Sequence, residues 1–326
     1  MTSLKRKIRL LRIFDCSNST ERPTNRSFGG PVQNEFVGLL HKHSERYGIV
    51  FVDSLNDCDL VFTNDVYPES VLTSDKPRVK RMDGIFWLNE LKDRNEKYNL
   101  AAKQSDLVIF ISEYSKNSFE TLYGSKLEKS VVVTHWVEKK FDYFHSGEFN
   151  NTFFAMATDW KRKEKRFGEL VKFSKLTDCK INLVGTCNFD VPKNIIKFGY
   201  LESDSDEFLN VLKDSSAFLN LTCKDAATKT VCLAINYGLP ILFSTSGGVG
   251  ELVGNCGIGI KEKDEIDFLD SVPQVDEEEM INGLFEFKNN YDELKRNIMN
   301  KLRINPLRNS IEKYFREIKS VQRRIK

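Results

Sequence analysis

The sequence predicts an α/β protein with two doubly wound, parallel-sheet domains that face each other across a cleft. Three observations support this fold class. The 326 residues exceed the roughly 100–200 residues of a common single domain. Short apolar segments alternate with amphipathic ones, which is the βα order of a parallel sheet. That order restarts after a polar stretch at 138–151, so each series spans roughly 150 residues.

The first series opens with KIRLLRIF (7–14), which alternates and then turns apolar, as a first strand does. LVIFIS (107–112) is continuously apolar, as expected for a strand that a parallel sheet buries on both faces. Pro31 suits the first turn of a helix and Gly48 suits its end. The predicted strands are 7–14, 49–54, 58–65, a short one around Val79 within 76–86, 107–112 and 130–137, and the predicted helices are 31–48, 95–106 and 113–124.

The second series follows the same alternation. Gly238 and Pro240 separate a predicted helix from the apolar strand LPILFS (239–244). The predicted strands are 152–157, 180–187, 195–201, 216–223 and 239–244, and the predicted helices are 166–176, 205–215, 228–238 and a charged last helix at 309–326. We therefore expect an amino-terminal domain over 1–145, a carboxy-terminal domain over 146–305, and a last segment, 306–326, that packs back on the amino-terminal domain.

The composition is that of an ordinary globular protein, with 40% hydrophobic and 29% charged residues. Lys and Arg number 49 against 47 Asp and Glu, and a net charge of +2 does not indicate a chain devoted to nucleic acid. The basic ends, 5–12 and 322–326, are interpreted mainly as solvated flanks, and they are compatible with peripheral membrane contact.

The cysteines and the amino terminus indicate the compartment. Because the cysteine count is odd and no pair is spaced C-x-x-C, a zinc-ribbon site is not expected, and free thiols fit a reducing compartment. The first residues lack the apolar core of a signal peptide, and no run reaches the roughly 18 apolar residues of a membrane span. We expect a cytoplasmic protein without disulfides. The seven cysteines are Cys16, Cys58, Cys179, Cys187, Cys223, Cys232 and Cys256.

Several predicted loops meet at the carboxyl edge of the second sheet, where open α/β sheets bind their ligands. These loops are 158–166, 185–187, 223–229 and 244–251. The first is strongly basic, the last is rich in glycine, and the third carries Asp225. Helix N-termini at this edge add free N–H groups and partial positive charge. Cations, open backbone and a carboxylate together suit a ligand that combines phosphate with hydroxyl groups, as a sugar nucleotide does.

The order of these segments resembles that of the GT-B glycosyltransferases, specifically the retaining family 4 type (glycosyl transferases group 1). The resemblance covers most of the chain and implies two Rossmann-like domains. No single segment is specific, and the long co-linear series carries the resemblance. Its segments are FGGPVQNEFVGLL (28–40), KRMDGIFW (80–87), AAKQSDLVIFISEYSKNSF (101–119), VVVTHWVEKKF (131–141), WKRKEKRF (160–167), INLVG (181–185), FGYL (198–201), and the series from SSAFLNLTCKDA to STSGGVGEL (215–252).

The resemblance implies transfer of a glycosyl group from a UDP- or GDP-linked sugar, bound mainly to the second domain. The acceptor would be a glycan or another hydroxyl compound that approaches over the first domain. Anomeric configuration would be retained by front-face attack, with the leaving phosphate helping to deprotonate the acceptor. No cofactor and no metal are expected, because positive side chains and helix N-termini stabilise the departing diphosphate.

The resemblance also implies roles for particular residues. Lys165 and Arg166 are the expected diphosphate cations, and Asp225 is expected to contact hydroxyl groups of the donor sugar. Asp83 is expected at the interdomain cleft, against donor sugar or acceptor, with a plain Asp-Gly turn as the alternative. The other positions expected to line the nucleotide-sugar site, several of them through backbone atoms, are Gly29, Gly30, Arg162, Gly185, Thr186, Tyr200, Leu201, Thr228, Gly247 and Gly248.

Two positions depart from the pattern of the family. The family has an Arg five residues before its diphosphate lysine; Trp160 stands there, with Arg162 as the nearest substitute. The family also has a ribose-binding Glu eight residues after the position of Asp225, and here that residue is Leu233. A leucine side chain cannot accept a hydrogen bond from a ribose hydroxyl, so this substitution puts donor affinity, donor identity or activity in question.

Three hypotheses therefore stand. The first is a retaining glycosyltransferase; the second is a GT-B-shaped sugar-nucleotide-binding protein with weakened or no activity, motivated by Leu233 and Trp160. The third is another two-domain α/β enzyme, such as a nucleotide-sugar epimerase, which would yield an altered sugar nucleotide in place of a new glycoside. Glu251 is interpreted as an acid that complements the start of its helix, and His135 as a structural residue.

Overall fold

A computed structural model describes residues 10–18, 31–124, 126–262, 268 and 271–324. Within these ranges the chain forms two six-stranded parallel sheets with flanking helices. This architecture confirms the predicted α/β fold class with two doubly wound domains.

The strands of the first sheet are β1 (Leu11–Asp15), β2 (Ile49–Val52), β3 (Leu60–Thr63), β4 (Arg78–Met82), β5 (Leu107–Phe110) and β6 (Ser130–Val132). They lie in the order β2-β1-β3-β4-β5-β6, and each neighbouring pair is parallel. Every residue of β3 and β5 is buried, because helices cover both faces of a doubly wound sheet. The helices of this half are α1 (Pro31–His43), α2 (Glu69–Leu72), α3 (Lys92–Lys103) and α4 (Glu113–Tyr123).

The strands of the second sheet are β7 (Thr152–Asp159), β8 (Lys180–Thr186), β9 (Ile195–Gly199), β10 (Ala217–Asn220), β11 (Ile241–Ser244) and β12 (Gly257–Ile260). They lie in the order β12-β11-β10-β7-β8-β9 and are again parallel. The helices of this half are α5 (Phe167–Thr177), α6 (Asp206–Asp214), α7 (Lys229–Asn236), α8 (Val249–Val253), α9 (Glu277–Asn289) and α10 (Tyr291–Arg303), followed by α11 (Pro306–Arg324).

Helix α11 supplies part of the core of the first sheet. Its apolar residues, Ile311, Tyr314, Phe315 and Ile318, are buried in one cluster with β1, β3, β5 and helix α1. The apolar side chains recur every three or four residues, which places them on one face of the helix. The last helix thus returns the chain from the second half to the first.

The two halves also share an apolar interface. Trp136, in the extended segment after β6, is buried among residues of α7, and its Nε1 donates to Asn236 Oδ1 at 2.9 Å. The amide of Asn236 in turn donates to the Val137 carbonyl at 3.0 Å. Because buried polar groups need partners, this exchange fixes the connecting segment against α7.

None of the helices in the described ranges combines the length and the apolar character that a membrane span requires.

Candidate active site

The loops after the two sheets meet at their carboxyl edges. Ala226, after β10, lies so close to Gly84, after β4, that a Cβ added to Gly84 would be 2.9 Å from the Ala226 Cβ. A Cβ on Gly248, after β11, would be 2.9 Å from Ser112 Oγ, which begins α4. The glycines therefore allow a backbone approach that a side chain would prevent. The carboxyl edges form one cleft with walls from both halves.

The wall of the cleft that the second domain forms contains an ion pair between Lys165 and Asp225. Lys165 ends a short 3-10 turn, and its Nζ lies 3.1 Å from Asp225 Oδ2. Both side chains are mostly buried, at 14% and 20% exposure, so solvent screens the pair less than a surface pair. The Cys223 N–H donates to the Glu164 carbonyl at 2.9 Å and ties the two loops together. The structure thus brings together two residues that are 60 positions apart in the sequence.

The glycine loop after β11 lies directly beside this pair. Gly247 forms a parallel bridge with Asp225, and the Gly248 N–H donates to the Asp225 carbonyl at 2.8 Å. Gly247 has a φ of +100°, and a Cβ there would lie 2.5 Å from the Asp225 carbonyl oxygen. Only glycine combines that conformation with that approach. The predicted nucleotide-sugar residues Gly247 and Gly248 therefore position the Asp225 backbone.

Arg166 and Arg162 have partners other than the Lys165–Asp225 pair. Arg166 is buried, with a left-handed φ of +52°, and its Nη1 donates to Glu262 Oε1 at 2.8 Å. Arg162 is exposed, and its Nε donates to Glu164 Oε1 at 2.7 Å. Their predicted contact with a diphosphate stays a prediction.

The other predicted residues of the second domain lie at its carboxyl edge. Gly185 ends β8 with a φ of +118°, and a Cβ there would fall 1.6 Å from the Ala157 carbonyl oxygen, so strand packing requires glycine. Thr186 accepts a hydrogen bond from the Trp160 N–H at 3.0 Å. Thr228 precedes α7, with its Oγ1 2.9 Å from Thr230 Oγ1.

Tyr200 and Leu201 follow β9. Tyr200 is half-exposed, whereas Leu201 packs against the core cluster that contains α7. Gly29 and Gly30 lie outside the described residues. The nucleotide-sugar contacts predicted for these positions stay predictions.

Asp83 contributes a carboxylate from the first domain. Arg81, at the end of β4, is buried, and its Nη1 lies 2.5 Å from Asp83 Oδ1, which fixes the carboxylate at the cleft. His135 lies on the other side of Arg81, with its Nδ1 3.4 Å from Arg81 Nη2. Burial, together with the charges of Arg81 and Lys229, lowers the pKa of His135 well below its ordinary value, so the imidazole is neutral at pH 7.

Lys229 is a cleft residue that the sequence did not single out. It begins α7, is 9% exposed, and its Nζ lies 3.7 Å from Glu35 Oε2 of α1 in the other half. Burial, and then repulsion from Arg81, lowers the pKa of Lys229 to about 8. Its sequence context is an apolar helix, and no local signal marks its side chain as facing the other domain.

Glu251 also acts differently from its sequence interpretation. Its carboxylate accepts hydrogen bonds from the N–H groups of Glu113 and Tyr114, both at 2.7 Å, at the start of α4 in the other half. The prediction that it complements the start of its own helix misses these partners. Ser112 and Ser115 form the rest of the same cap. Glu251 therefore joins the two domains.

Leu233 lies within α7, partly buried against the core of the second sheet. Trp160 is 5% exposed, and its Nε1 donates to the Val184 carbonyl at 3.0 Å, so it packs in the core. Trp87 is buried under the Lys224 ammonium, 4.3 Å from the ring centre. Among the described residues, no group of three His, Cys, Asp or Glu side chains is placed to hold a metal ion.

Comparison with known proteins identifies the fold. No protein-family model and no curated protein sequence matches the chain. A sucrose-phosphate synthase from Thermosynechococcus elongatus superposes with a TM-score of 0.65 at 12% identity, covering 97% of each chain. A glycosyltransferase from Rickettsia africae gives 0.62 at 13% identity, covering 96% of this chain and 98% of its own. HepE from Anabaena, solved with UDP-glucose, gives 0.62 at 13% identity, covering 95% and 99%. This chain therefore has the two-domain GT-B fold of these glycosyltransferases.

Proposed function

We propose that the protein transfers a glycosyl group from a UDP- or GDP-linked sugar to a hydroxyl group of a glycan or other acceptor. The observation that carries this proposal is the Lys165–Asp225 pair, which lies next to Ala226, the residue that approaches Gly84 of the first domain. A diphosphate needs a cation and a sugar needs hydrogen-bond acceptors, and the pair supplies both in adjacent positions. Neighbours of the same fold support the ligand class, since HepE was solved with UDP-glucose and the pneumococcal O-GlcNAc transferase GtfA with UDP and GlcNAc.

Lys165 has the central role in the proposed chemistry. As the bond between the sugar and the diphosphate breaks, negative charge grows on the phosphate oxygens, and a nearby ammonium stabilises that charge. We propose that Lys165 turns from Asp225 to the diphosphate when the donor binds, so that Asp225 becomes available to the sugar hydroxyls. Side chains such as Lys165 and the start of α7 supply positive charge, which supports transfer without a metal ion.

Asp83 has the corresponding role on the acceptor side. Arg81 holds its carboxylate beside the contact between Gly84 and Ala226, and its side chain keeps 30% exposure. An acceptor hydroxyl that enters from the first domain can donate a hydrogen bond to this carboxylate. We propose that Asp83 orients the acceptor, and that attack occurs on the same face as departure of the diphosphate, with retention of configuration. The leaving phosphate would take the proton of the acceptor.

The seven cysteines support a reducing compartment for this reaction. All seven are free thiols, and six of them are buried. We propose that transfer takes place in the cytoplasm, with acceptors in solution or at a membrane surface.

A second candidate function is binding of a sugar nucleotide without turnover. Leu233 favours it, because α7 presents an apolar side chain where the family resemblance implies a carboxylate for the ribose. The two candidates differ in a single measurement, because only the enzyme releases nucleoside diphosphate. An epimerase would release an altered sugar nucleotide and no glycoside.

The test combines calorimetry with product analysis. UDP-glucose, UDP-GlcNAc and GDP-mannose are titrated into the protein, and release of UDP or GDP is followed with and without a panel of glycan acceptors. We expect binding and turnover with at least one donor, and for Lys165→Ala a loss of roughly 100-fold or more in kcat, as when one transition-state donor is removed. Lys175→Ala, an exposed lysine on α5, is the matched control. Absence of binding by every donor would contradict the proposal, and binding without turnover would favour the second candidate.

A further inference from the structure

Strand β9 differs from the other strands that lie at a sheet edge. The edge strands are β2 and β6 in the first sheet, and β12 and β9 in the second. Every residue of β2, β6 and β12 is buried or half-buried, whereas the four residues from Ile196 to Gly199 of β9 are all exposed. Within the described ranges, β9 pairs with β8 alone. Since an unpaired edge presents free N–H and C=O groups, β9 is open to pairing with another chain.

Two of the exposed residues of β9 form an apolar face. Ile196 is 48% exposed and Phe198 is 37% exposed. They are two positions apart, and side chains at that spacing point to the same face of a strand. Gly199 follows with a left-handed φ of +72° and ends the strand, so the apolar face is short. Adjacent large apolar side chains at a surface indicate a site that a partner covers.

This exposed face continues a face that is buried farther inside the sheet. Ile196 lies opposite Asn182 of β8, which in turn lies opposite Phe154 of β7. Helix α6 covers the face at β7, where Phe208 packs edge-on against Phe154 with ring centres 5.7 Å apart. The cover does not extend to Ile196 at the edge. A doubly wound sheet normally has both faces covered, so the edge at β9 is incomplete in a single chain.

The charged residues around β9 differ in sign between its two ends. Lys193 precedes the strand, Glu202 and Asp204 follow it, and all three are exposed. None of the three forms an ion pair in the part of the chain that the structure describes. Lys197, within the strand, donates to the Phe189 carbonyl at 2.9 Å and is therefore engaged inside its own chain. A segment with a basic start and an acidic end is complementary to a second copy of itself that runs antiparallel.

We propose that β9 is an interface at which two copies of this chain associate about a two-fold axis. The two β9 strands pair antiparallel, so that one sheet continues from the first copy into the second. Ile196 and Phe198 of both copies then lie on one face and cover each other. Lys193 of each copy lies beside Glu202 and Asp204 of the other. Because both copies use the same edge, the contact closes at two chains and does not propagate into a fibre.

The test is the mass of the particle in solution, measured by sedimentation velocity over a range of concentrations. We expect two chains per particle, with a dissociation constant of roughly 10 µM or lower. Phe198→Asp should raise this constant roughly tenfold or more, because it places a charge within the apolar face. Phe285→Asp, which changes an exposed phenylalanine on α9, is the matched control and should leave the dimer unchanged.

Charge reversals test the antiparallel orientation. In a dimer of identical chains, Lys193→Glu and Glu202→Lys each bring like charges together, so each should raise the dissociation constant roughly tenfold or more at low ionic strength. An equimolar mixture of the two variants brings opposite charges together at both ends of the paired strands. The mixture should therefore associate about as tightly as wild type. Because both positions are exposed, the variants keep the fold, which thermal unfolding verifies.

Three results would overturn the proposal. Single chains at concentrations well above the expected constant would contradict association of two copies and would leave the edge to a different protein. An unchanged constant in Phe198→Asp would remove β9 from the interface. A mixture of the two charge variants that associates no more tightly than either variant alone would contradict the antiparallel pairing. Since no nucleotide sugar enters these measurements, their outcome is independent of the proposed function.

Discussion

Glu251 provides the most direct test of how the two domains are held together. Its two carboxylate oxygens accept hydrogen bonds from two successive N–H groups at the start of α4, at 2.7 Å each. Those N–H groups belong to the first turn of a helix, where they have no partner within the helix itself. Replacing Glu251 by alanine removes both bonds, and replacing it by glutamine keeps one acceptor oxygen and removes the charge.

The magnitude follows from the two bonds and their exposure. A hydrogen bond to a charged group contributes about 1.5–3 kcal/mol when it is shielded, and a neutral one about 0.5–1.5 kcal/mol. Because this contact is solvent-exposed, we take about 1 kcal/mol for each bond, or about 2 kcal/mol in all. That free energy corresponds to a change of about 30-fold in the equilibrium between the closed and the open arrangement for Glu251→Ala. Glutamine should have roughly half the effect in free energy, or about fivefold.

Single-molecule energy transfer measures this equilibrium. Cysteines introduced at Lys103 and Lys213 are labelled in a Cys187→Ser background, since these two lysines are exposed and lie on α3 and α6 in different domains. We expect the open population to rise in the order wild type, Glu251→Gln, Glu251→Ala. Glu286→Ala, an exposed glutamate on α9, is the control. Equal open populations in Glu251→Ala and wild type would refute the assignment of Glu251 as a domain contact.

Three further predictions concern stability and thiol reactivity. Gly185→Ala should destabilise the protein by more than about 4 kcal/mol in urea unfolding, because its Cβ would overlap the Ala157 carbonyl. Gly38→Ala, in a helix where a Cβ would meet open space, should stabilise the protein by about 0.5–1 kcal/mol. Equal effects of the two variants would contradict this reasoning. Burial lowers the pKa of Lys229, so between pH 8 and 10.5 the unfolded chain binds more protons than the folded one. The free energy of unfolding of wild type, relative to that of Lys229→Met, should therefore rise by about 2 kcal/mol between pH 7 and pH 10. A difference that does not change with pH would disprove the shift. A thiol reagent should modify Cys187 alone in the native protein, since the other six thiols are buried; fast reaction in Cys187→Ser would disagree.

Strands can be predicted from the sequence where every side chain of the segment is apolar and buried. LVIF in β5 and ILFS in β11 are buried at every position, and such runs are visible without tertiary information. The predicted strand at 130–137 ends at Val132 in the structure. The Val133 N–H still donates to the Phe110 carbonyl, but by Trp136 the chain has crossed to the second domain. The elements β12, α9 and α10 were not predicted, since their apolar residues are spaced among glycines and charges.

In the candidate site, too, some features were predicted from the sequence and others were not. The order of the loops placed Lys165, Asp225 and the glycine pair at 247–248 at one sheet edge, and the structure brings them into contact. Their individual roles were implied by the resemblance to the family. The partner of Arg166 could not be predicted from the sequence. Its position in a basic loop suggests a diphosphate contact and does not reveal that its guanidinium donates a hydrogen bond to Glu262.

By itself the sequence determined the α/β class, the two domains and the sheet edge that carries the candidate site. Hydrophobic periodicity and glycine positions encode these features, and both act over a few neighbouring residues. Only the tertiary structure decided that Glu251 caps a helix of the other domain, that Lys229 is buried against Glu35, and that Phe189 is exposed beside the start of α5. These contacts join residues that lie far apart along the chain, so their charge, burial and hydrogen bonding depend on how the two sheets pack together.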